Sequence, residues 1–367
     1  MFKQYKLKNY KFILVLFVVI LNVIGILLIG SAKPSVQSKQ IVGMIAGLSI
    51  MVILSLIDYN FILKFAWLIY LFMLGTLLLV MFAGDDAGGA QRWFEIGGFR
   101  FQPSELAKIL IILFFAYFFM KHEEKINTPK VLIMSLILAG MPLALILKQP
   151  DLSTTIVTAL IFAALLFVAG LSYKIVVGVL AGSVPSAIIL FTLLIQDKLP
   201  FIKSYQVTRV MAWLYPDDYP ADAYQQQNSI MAIGSGQLWG KGLNNTDATS
   251  VKNGNFIPEP QTDFIFAVAG EELGFIGTVI IIILLLFITI ECILIARKAK
   301  DTAGKMICCG FAALVGFQSL VNIGVASGVL PNTGLPLPFV SYGLTSLLSL
   351  YIGVGLVLNV GLQPKKY

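Results

Sequence analysis

The chain has 367 residues, of which 58% are hydrophobic and only 12% charged, with a formal charge of +7 and a mean hydropathy of +0.88. That charged share is about half of what a soluble domain carries, which excludes an ordinary water-soluble globule. The single histidine, His122, sits among charged residues, and Cys292, Cys308 and Cys309 fall in apolar stretches without metal-ligand spacing; zinc chemistry and Ser/His/Asp catalysis are poorly supported.

Apolar runs of ~20 residues recur from end to end, each long enough to cross ~30 Å of hydrocarbon. Backbone groups in lipid must pair internally, so the spans are helices. They are read at 12–31, 40–57, 65–83, 105–120, 131–147, 152–170, 174–196, 263–296, 305–328 and 343–361. The expected fold is all-α and polytopic, with about ten transmembrane helices. The first run follows a basic segment and lacks a small-residue cleavage site, so it reads as a span and not as a cleaved signal. Alternate loops carry Lys3, Lys6, Lys8 and Lys11, then Lys64, then Lys121, Lys125 and Lys130. Lys174 follows on the same side, then Arg297, Lys298, Lys300 and Lys305, then Lys365 and Lys366. Short basic loops mark the cytoplasm, which places both termini inside. The positive charge answers to this topology and to anionic membrane lipids, with no nucleic acid implied.

The opposite side holds the unusual loops, at 84–104, 148–151, 197–262 and 329–342. The long extracytoplasmic loop 197–262 exceeds an ordinary connection. It contains "SYQVTRVMAWLYP" and "AYQQQNSIMAIGSG", which mix apolar and polar residues at helical spacing, the pattern of helices lying on a bilayer. With no fixed-period repeat and no soluble segment, residues 1–367 read as a single membrane domain.

In "GGAQRWFEIGGFRFQPSELAKI", Gly88, Gly89, Gly97 and Gly98 permit tight turns, and Ser104 is a candidate N-cap. Glu105 and Lys108 share one helix face; they read either as an ion pair or as a lysine open to a phosphate. Arg92 beside Trp93 is either an interfacial anchor or a clamp for an anionic head group. Asp151 in "KQPDLSTT" either caps the next helix or binds a sugar or cation. "GVLPNTGLPLPFVSYG" holds Pro331, Pro336 and Pro338 with Asn332, Thr333, Ser341 and Tyr342. It cannot be a regular helix, and its natural place is lining a cavity.

"FIPEPQTDFIFAVAGEELG" then carries Asp263, Glu271 and Glu272 into a span. Thr262 or Asp263 is a candidate helix cap, favoured by the helix dipole. The two glutamates lie roughly 12 Å further along a continuous helix, and about 80° and 180° around its axis from Asp263. Acids that deep tend to face a partner or a water-filled cavity. Asp263 is therefore expected at an aqueous mouth, with at least one glutamate paired inside the bundle and Lys108 a candidate partner.

Five stretches in this order, "GAQRWFEIGGFRFQPSELAK", "QPDLSTT", "NSIMAIGSGQLWGKGL", "PEPQTDFIFAVAGEELGFIG" and "GLPLPFVSYG", resemble the SEDS family (shape, elongation, division and sporulation; FtsW, RodA and SpoVE). The resemblance runs along nearly the whole chain, and "KQPDLSTT" with the compact tails is most like RodA. It implies a peptidoglycan glycosyltransferase of the bacterial cytoplasmic membrane. Such a protein polymerises lipid II, the undecaprenyl-pyrophosphate-linked disaccharide pentapeptide, at the outer face, beside a class B penicillin-binding protein that crosslinks. The family's essential acid falls on Asp263, its PSExxK pair on Glu105 and Lys108, and its RW arginine on Arg92. Asp263 is then the expected general base for the acceptor 4-hydroxyl, with inversion at the anomeric carbon. Arg92, Lys108 or Arg209 would neutralise the departing pyrophosphate. Mg²⁺ or Mn²⁺ is a further candidate, and no organic cofactor is implied. Glu105, Asp151, Glu271, Glu272 and Ser341 read as support for the site. Gln261 stands where many members have histidine, Ser153 replaces a common glycine, and Leu344-Thr345 replaces Gly-Ser; these touch local proton chemistry and loop geometry. The rival readings are a lipid II flippase and a non-catalytic scaffold for a transpeptidase. A flippase wants a midplane site between repeated halves, whereas the special loops here lie on one side.

Overall fold

The structure, a computed structural model, describes residues 9–86, 91–96, 99–195, 204–245, 250, 254 and 256–363. The lysines at 3, 6, 8, 365 and 366 and the glycines at 88, 89, 97 and 98 lie outside the described residues.

The spans appear as α1 (Phe12–Ala32), α2 (Pro34–Leu56), α4 (Ala66–Ala83), α5 (Pro103–Lys121), α6 (Pro129–Lys148), α11 (Ile265–Arg297), α12 (Thr302–Ala326) and α13 (Leu344–Leu362). These eight are long and apolar enough to cross a membrane. α7 (Leu152–Val168) is apolar and slightly shorter, and α8 (Tyr173–Ile195) coincides with the remaining expected span. A five-residue helix, α3 (Tyr59–Leu63), joins α2 to α4, capped by the Asp58 side chain. α9 (Ser204–Leu214) and α10 (Pro220–Ser235) belong to the long loop.

Several boundaries differ from the sequence reading. α2 starts at Pro34, because proline at a first helical position needs no N–H partner. α5 opens the same way at Pro103, with Gln102 in the cap position; Ser104 is therefore inside the first turn and does not cap. The loop before α5 folds into a small antiparallel sheet, β1 (Asp85–Asp86), β2 (Gln91–Ile96) and β3 (Phe99–Phe101), in the order β1-β2-β3. Register pairs Phe94 with Phe101 and Glu95 with Arg100.

α5 and α13 are the most enclosed spans. Tyr351, Phe114 and Phe115 are fully buried between their neighbours. α1, α4 and α6 instead turn Phe12, Leu16, Leu68, Phe82 and Ile133 outward. So much exposed apolar surface would be an aggregation liability in water, and is the ordinary lipid-facing side of a membrane bundle.

α11 is not one continuous helix. Gly274 has φ +67° and breaks it, a conformation that costs an L-residue its Cβ clearance. The backbone groups freed by the break are taken up by the turn after α10. The N–H groups of Lys241 and Gly242 donate to the carbonyls of Glu271 and Glu272, and those of Phe275 and Ile276 donate to Gln237 and Leu238. Non-helical backbone at membrane depth is tolerated only with such replacement.

α10 is part of the bundle and does not simply lie on the bilayer. Its Gln226 amide donates to the carbonyls of Val325 and Leu330, and its Ser229 hydroxyl to that of Ala326. These side chains satisfy the orphan carbonyls at the end of α12. At the opposite end of the molecule Tyr59 donates its hydroxyl to Asp301, and Asn359 bonds both the Tyr59 N–H and the Ser55 carbonyl. That network ties α2, α3, the α11–α12 turn and α13 together, far from the loops that carry the motifs.

Candidate active site

The polar loops converge on a cavity of about 310 Å³ at one end of the bundle. Its walls include Arg92 and Trp93 from β2, Glu105 from α5, Asp151 and Thr154 at the start of α7, and Arg209 from α9. Glu259, Thr262 and Asp263 come from the loop before α11, and Thr333, Gly334, Pro336 and Tyr342 from the segment after α12. A larger hollow of about 510 Å³ lies between α11 and α12, but it is lined by residues such as Leu285, Leu320 and Val329 with no ionisable group. The ionisable groups line the smaller cavity.

Asp263 sits in the turn immediately before α11. The cap position of that helix is Phe264, and no side chain caps it. The capping role open to Asp263 in the sequence is therefore excluded. Instead, three successive carbonyls of its loop are held by outside donors. The Tyr342 N–H bonds the Gln261 carbonyl at 2.9 Å. The Ser341 hydroxyl bonds that of Thr262 at 2.6 Å, while itself accepting the Leu337 N–H. The Asn322 amide bonds that of Asp263 at 2.7 Å. Among the described residues no donor bonds the Asp263 carboxylate itself, which keeps partial exposure to the cavity. Gly334 stands over it with φ +74°; a Cβ there would lie 3.2 Å from Asp263 Oδ2 in a backbone conformation L-residues avoid.

The electrostatics favour a proton on Asp263 more than usual. Burial is the largest cause, pushing its carboxyl from 3.8 up to about 6. Arg209 pulls the other way, while Asp151, Glu259 and Glu105 add to the rise. A carboxylate poised near the working pH is suited to accept a proton.

Arg92 is held with its guanidinium against the turn before α7, where Nε donates to the Gln149 carbonyl at 2.7 Å and Nη2 to that of Pro150. Asp151 caps α7 by accepting the Thr154 N–H at 3.1 Å, and its other oxygen accepts from the Gln102 amide at 3.3 Å. It caps the helix, one of the two readings the sequence left open, and it also lines the cavity. Arg209 reaches the cavity from α9, whose Trp213 indole is tied to the Gly328 carbonyl.

Two sequence assignments are corrected. Lys108 is 1% exposed. Its ammonium bonds the Glu105 carboxylate at 2.7 Å and the Gln318 side-chain oxygen Oε1 at 2.7 Å. It does not line the cavity, so it serves Glu105 and is not placed to meet a substrate phosphate. Nor does it pair with the deep glutamates. Glu271 pairs with Lys241 at 2.9 Å, and Glu272 accepts the Ser31 hydroxyl. The break at Gly274 brings the Lys241 turn beside them, which a continuous helix would not.

Sequence reasoning passed over Gln318 and Asn322. They are one turn apart on α12 and donate to the carbonyls of Pro336 and Leu335 respectively, so the proline segment hangs from one helix face. Two amides at i, i+4 in an otherwise apolar span were the available signal. Thr345, singled out in the sequence only as part of the Leu344-Thr345 departure, accepts the Gln102 N–H and donates to the Arg100 carbonyl, joining α13 to the sheet.

The chain matches the FtsW/RodA/SpoVE family model, described as cell cycle protein, over residues 6–366. It is 38% identical over 331 residues to the peptidoglycan glycosyltransferase MrdB of Escherichia coli strain K12, covering 88% of this chain and 85% of that one. It is 32% identical over 380 residues to the probable peptidoglycan glycosyltransferase FtsW of Geobacter metallireducens, covering 98% and 96%. A solved structure described as structural coordination of polymerization and crosslinking by a peptidoglycan synthase complex superposes with a TM-score of 0.80. The identity is 30%, over 96% of this chain and 97% of that one.

Proposed function

Because the chain belongs to the FtsW/RodA/SpoVE family and is a multi-pass membrane enzyme, a peptidoglycan glycosyltransferase, we propose that Asp263 is the base of its polymerisation step. The substrate class in this reading is lipid II, supplied at the outer face of the cytoplasmic membrane. The acceptor hydroxyl enters the cavity over Asp263, which takes its proton as the oxygen attacks the anomeric carbon of the donor. The C–O bond to the diphosphate breaks with inversion, and the diphosphate leaves as an anion. Two arginines, Arg92 and Arg209, reach the same cavity, and their guanidiniums offset the charge that develops on it.

The observation that carries this reading is the setting of Asp263. Its carboxyl faces a polar cavity, its backbone is fixed at three successive carbonyls, and its pKa is lifted to about 6. Such positioning contributes as much to rate as the proton transfer does. A resident divalent cation does not fit the residues present: among the described residues no cluster of three Asp, Glu, His or Cys is arranged to hold one. An Mg²⁺ or Mn²⁺ ion would enter only with the diphosphate, and no step depends on it here.

The likeness to a synthase complex that coordinates polymerisation with crosslinking supports a transpeptidase partner, and a class B penicillin-binding protein is the partner proposed. An elongation role rests on the RodA-like "KQPDLSTT" stretch. The test is polymerisation of purified lipid II by purified protein. Asp263→Ala is expected to insert and purify normally and to form no glycan strand. Strand synthesis at the normal rate would overturn the assignment.

A further inference from the structure

Asn322 is buried in α12 at 1% exposure. Its Nδ2 donates at once to the Asp263 carbonyl at 2.7 Å and to the Leu335 carbonyl at 2.6 Å. Both partners are acceptors, so the amide can face only one way. The cost of that orientation is visible, because Asn322 Oδ1 is buried with no hydrogen-bond partner. An amide kept merely to satisfy a helix interior would be expected to use both ends. Here one end is left unmet so that the other can hold two backbones together.

Those two backbones are the two sides of the cavity's acid. One bears Asp263, and the other bears Gly334, whose missing Cβ leaves room for Asp263 Oδ2. One turn deeper, Gln318 holds the next carbonyl, that of Pro336, and also the lysine beneath Glu105. α12 is thus a rail on which the Asp263 turn and the proline segment share one register.

We propose that Asn322 is a positioning residue for the glycosyl transfer: its single amide locks the Asp263 turn against the Leu335 backbone and so sets where the Asp263 carboxyl stands. This rests on the reading of Asp263 as base. The groups that face that carboxyl are Arg209 from α9, Asp151 from the start of α7, Glu105 from α5 and Glu259 from its own loop. A shift of the Asp263 turn changes its distance to all four, so it changes the pH at which the base ionises.

The experiment is lipid II polymerisation by purified full-length Asn322→Leu and Asn322→Ser, as pH profiles with kcat and KM separated, and with Asp263→Ala alongside. Misplacement of a reacting group by about 1 Å costs on the order of 100-fold in rate, so a folded Asn322→Leu is expected to lose about 10- to 100-fold in kcat with KM little changed. Its midpoint is expected to leave the value near 6, while Asn322→Ser, with one donor kept, falls between. Wild-type kcat and midpoint in the folded variants overturn the proposal. So does a fall in kcat with the midpoint unmoved, which marks general loosening, and so does failure of both variants to fold. If Asp263→Ala remains active, the base assignment itself is wrong and the positioning role goes with it; an inactive Asp263→Ala beside unaffected Asn322 variants removes only the latter.

Discussion

Asp263 and the Glu271–Glu272 pair lie within ten positions of one another, in one motif, yet the structure treats them oppositely. The glutamates are buried, with Glu271 Oε1 engaged by Lys241 and Glu272 Oε1 by Ser31, at the point where Gly274 breaks α11. Asp263 has its backbone engaged and its carboxyl left facing the cavity, among three other acids and one opposing arginine. Acids near a membrane divide by what happens to the charge. Glu271 and Glu272 are held by a cation and a hydroxyl beside a break whose freed backbone groups are met by the turn after α10. Where like charges crowd an acid and burial removes part of its water, as at Asp263, it holds its proton more tightly than usual.

The largest test of that division is removal of the acids themselves. Asp263→Asn is expected to lower lipid II polymerisation by at least about 10²–10⁴-fold, the usual worth of a general base. It should not lower thermal stability. The sign follows from the raised carboxyl: stability contributed by Asp263 is full below 3.8 and is lost as pH rises through about 6, so neutralising the charge at pH 7 raises the melting temperature. Glu271→Ala should do the reverse. It leaves Lys241 without its carboxylate, and because that lysine is partly exposed the loss is about 2 kcal/mol, below the ~3–5 of a fully buried pair. The readout is the melting temperature, with residual activity in the folded fraction.

Gly334→Ala presses a methyl toward Asp263 Oδ2 and strains a backbone at φ +74°. We expect a fall in kcat of about 10- to 100-fold, from displacement of the carboxyl, with a smaller loss of stability. Next comes pH dependence in the intact enzyme. Since the base works ionised, kcat/KM should rise with pH through about 6 and level off above it. Arg209→Gln removes the cation that favours the ionised form and should move that midpoint up; Glu259→Gln removes a like charge and should move it down. The smallest effect is expected at the Lys33–Glu259 pair, 3.3 Å apart with both side chains well exposed. Lys33→Ala should change stability by less than ~1 kcal/mol, as surface pairs do.

Much of the architecture was legible because membrane helices must carry long apolar runs, and the outer motifs were legible because polar and proline-rich stretches stand out against them. What was misread traces to particular residues. The partner of Glu271 was sought inside the bundle, with Lys108 as the candidate; Gly274, just beyond the two glutamates, breaks α11, and Lys241 arrives from a distant turn. Lys108 looked available because it lies one turn from Glu105 at the polar start of α5, but Gln318, more than two hundred positions away, closes over it. The sheet at 85–101 had a local signature, "RWFEIGGFRF", two short aromatic-rich runs around Gly-Gly, of the kind that makes a hairpin. Asn322 left only a faint trace, an amide one turn from Gln318 in an apolar span, because its partners are backbone carbonyls that no sequence pattern announces.

The most direct measurement is single-enzyme polymerisation of lipid II by purified Asp263→Asn and Glu271→Gln, each normalised to folded protein. The expected result is strand synthesis at least about 10²-fold below wild type from Asp263→Asn at every pH, and wild-type turnover with a lowered melting temperature from Glu271→Gln. Strand synthesis by Asp263→Asn near the wild-type rate, or loss of turnover in fully folded Glu271→Gln, would contradict the separation of the reactive acid from the structural ones.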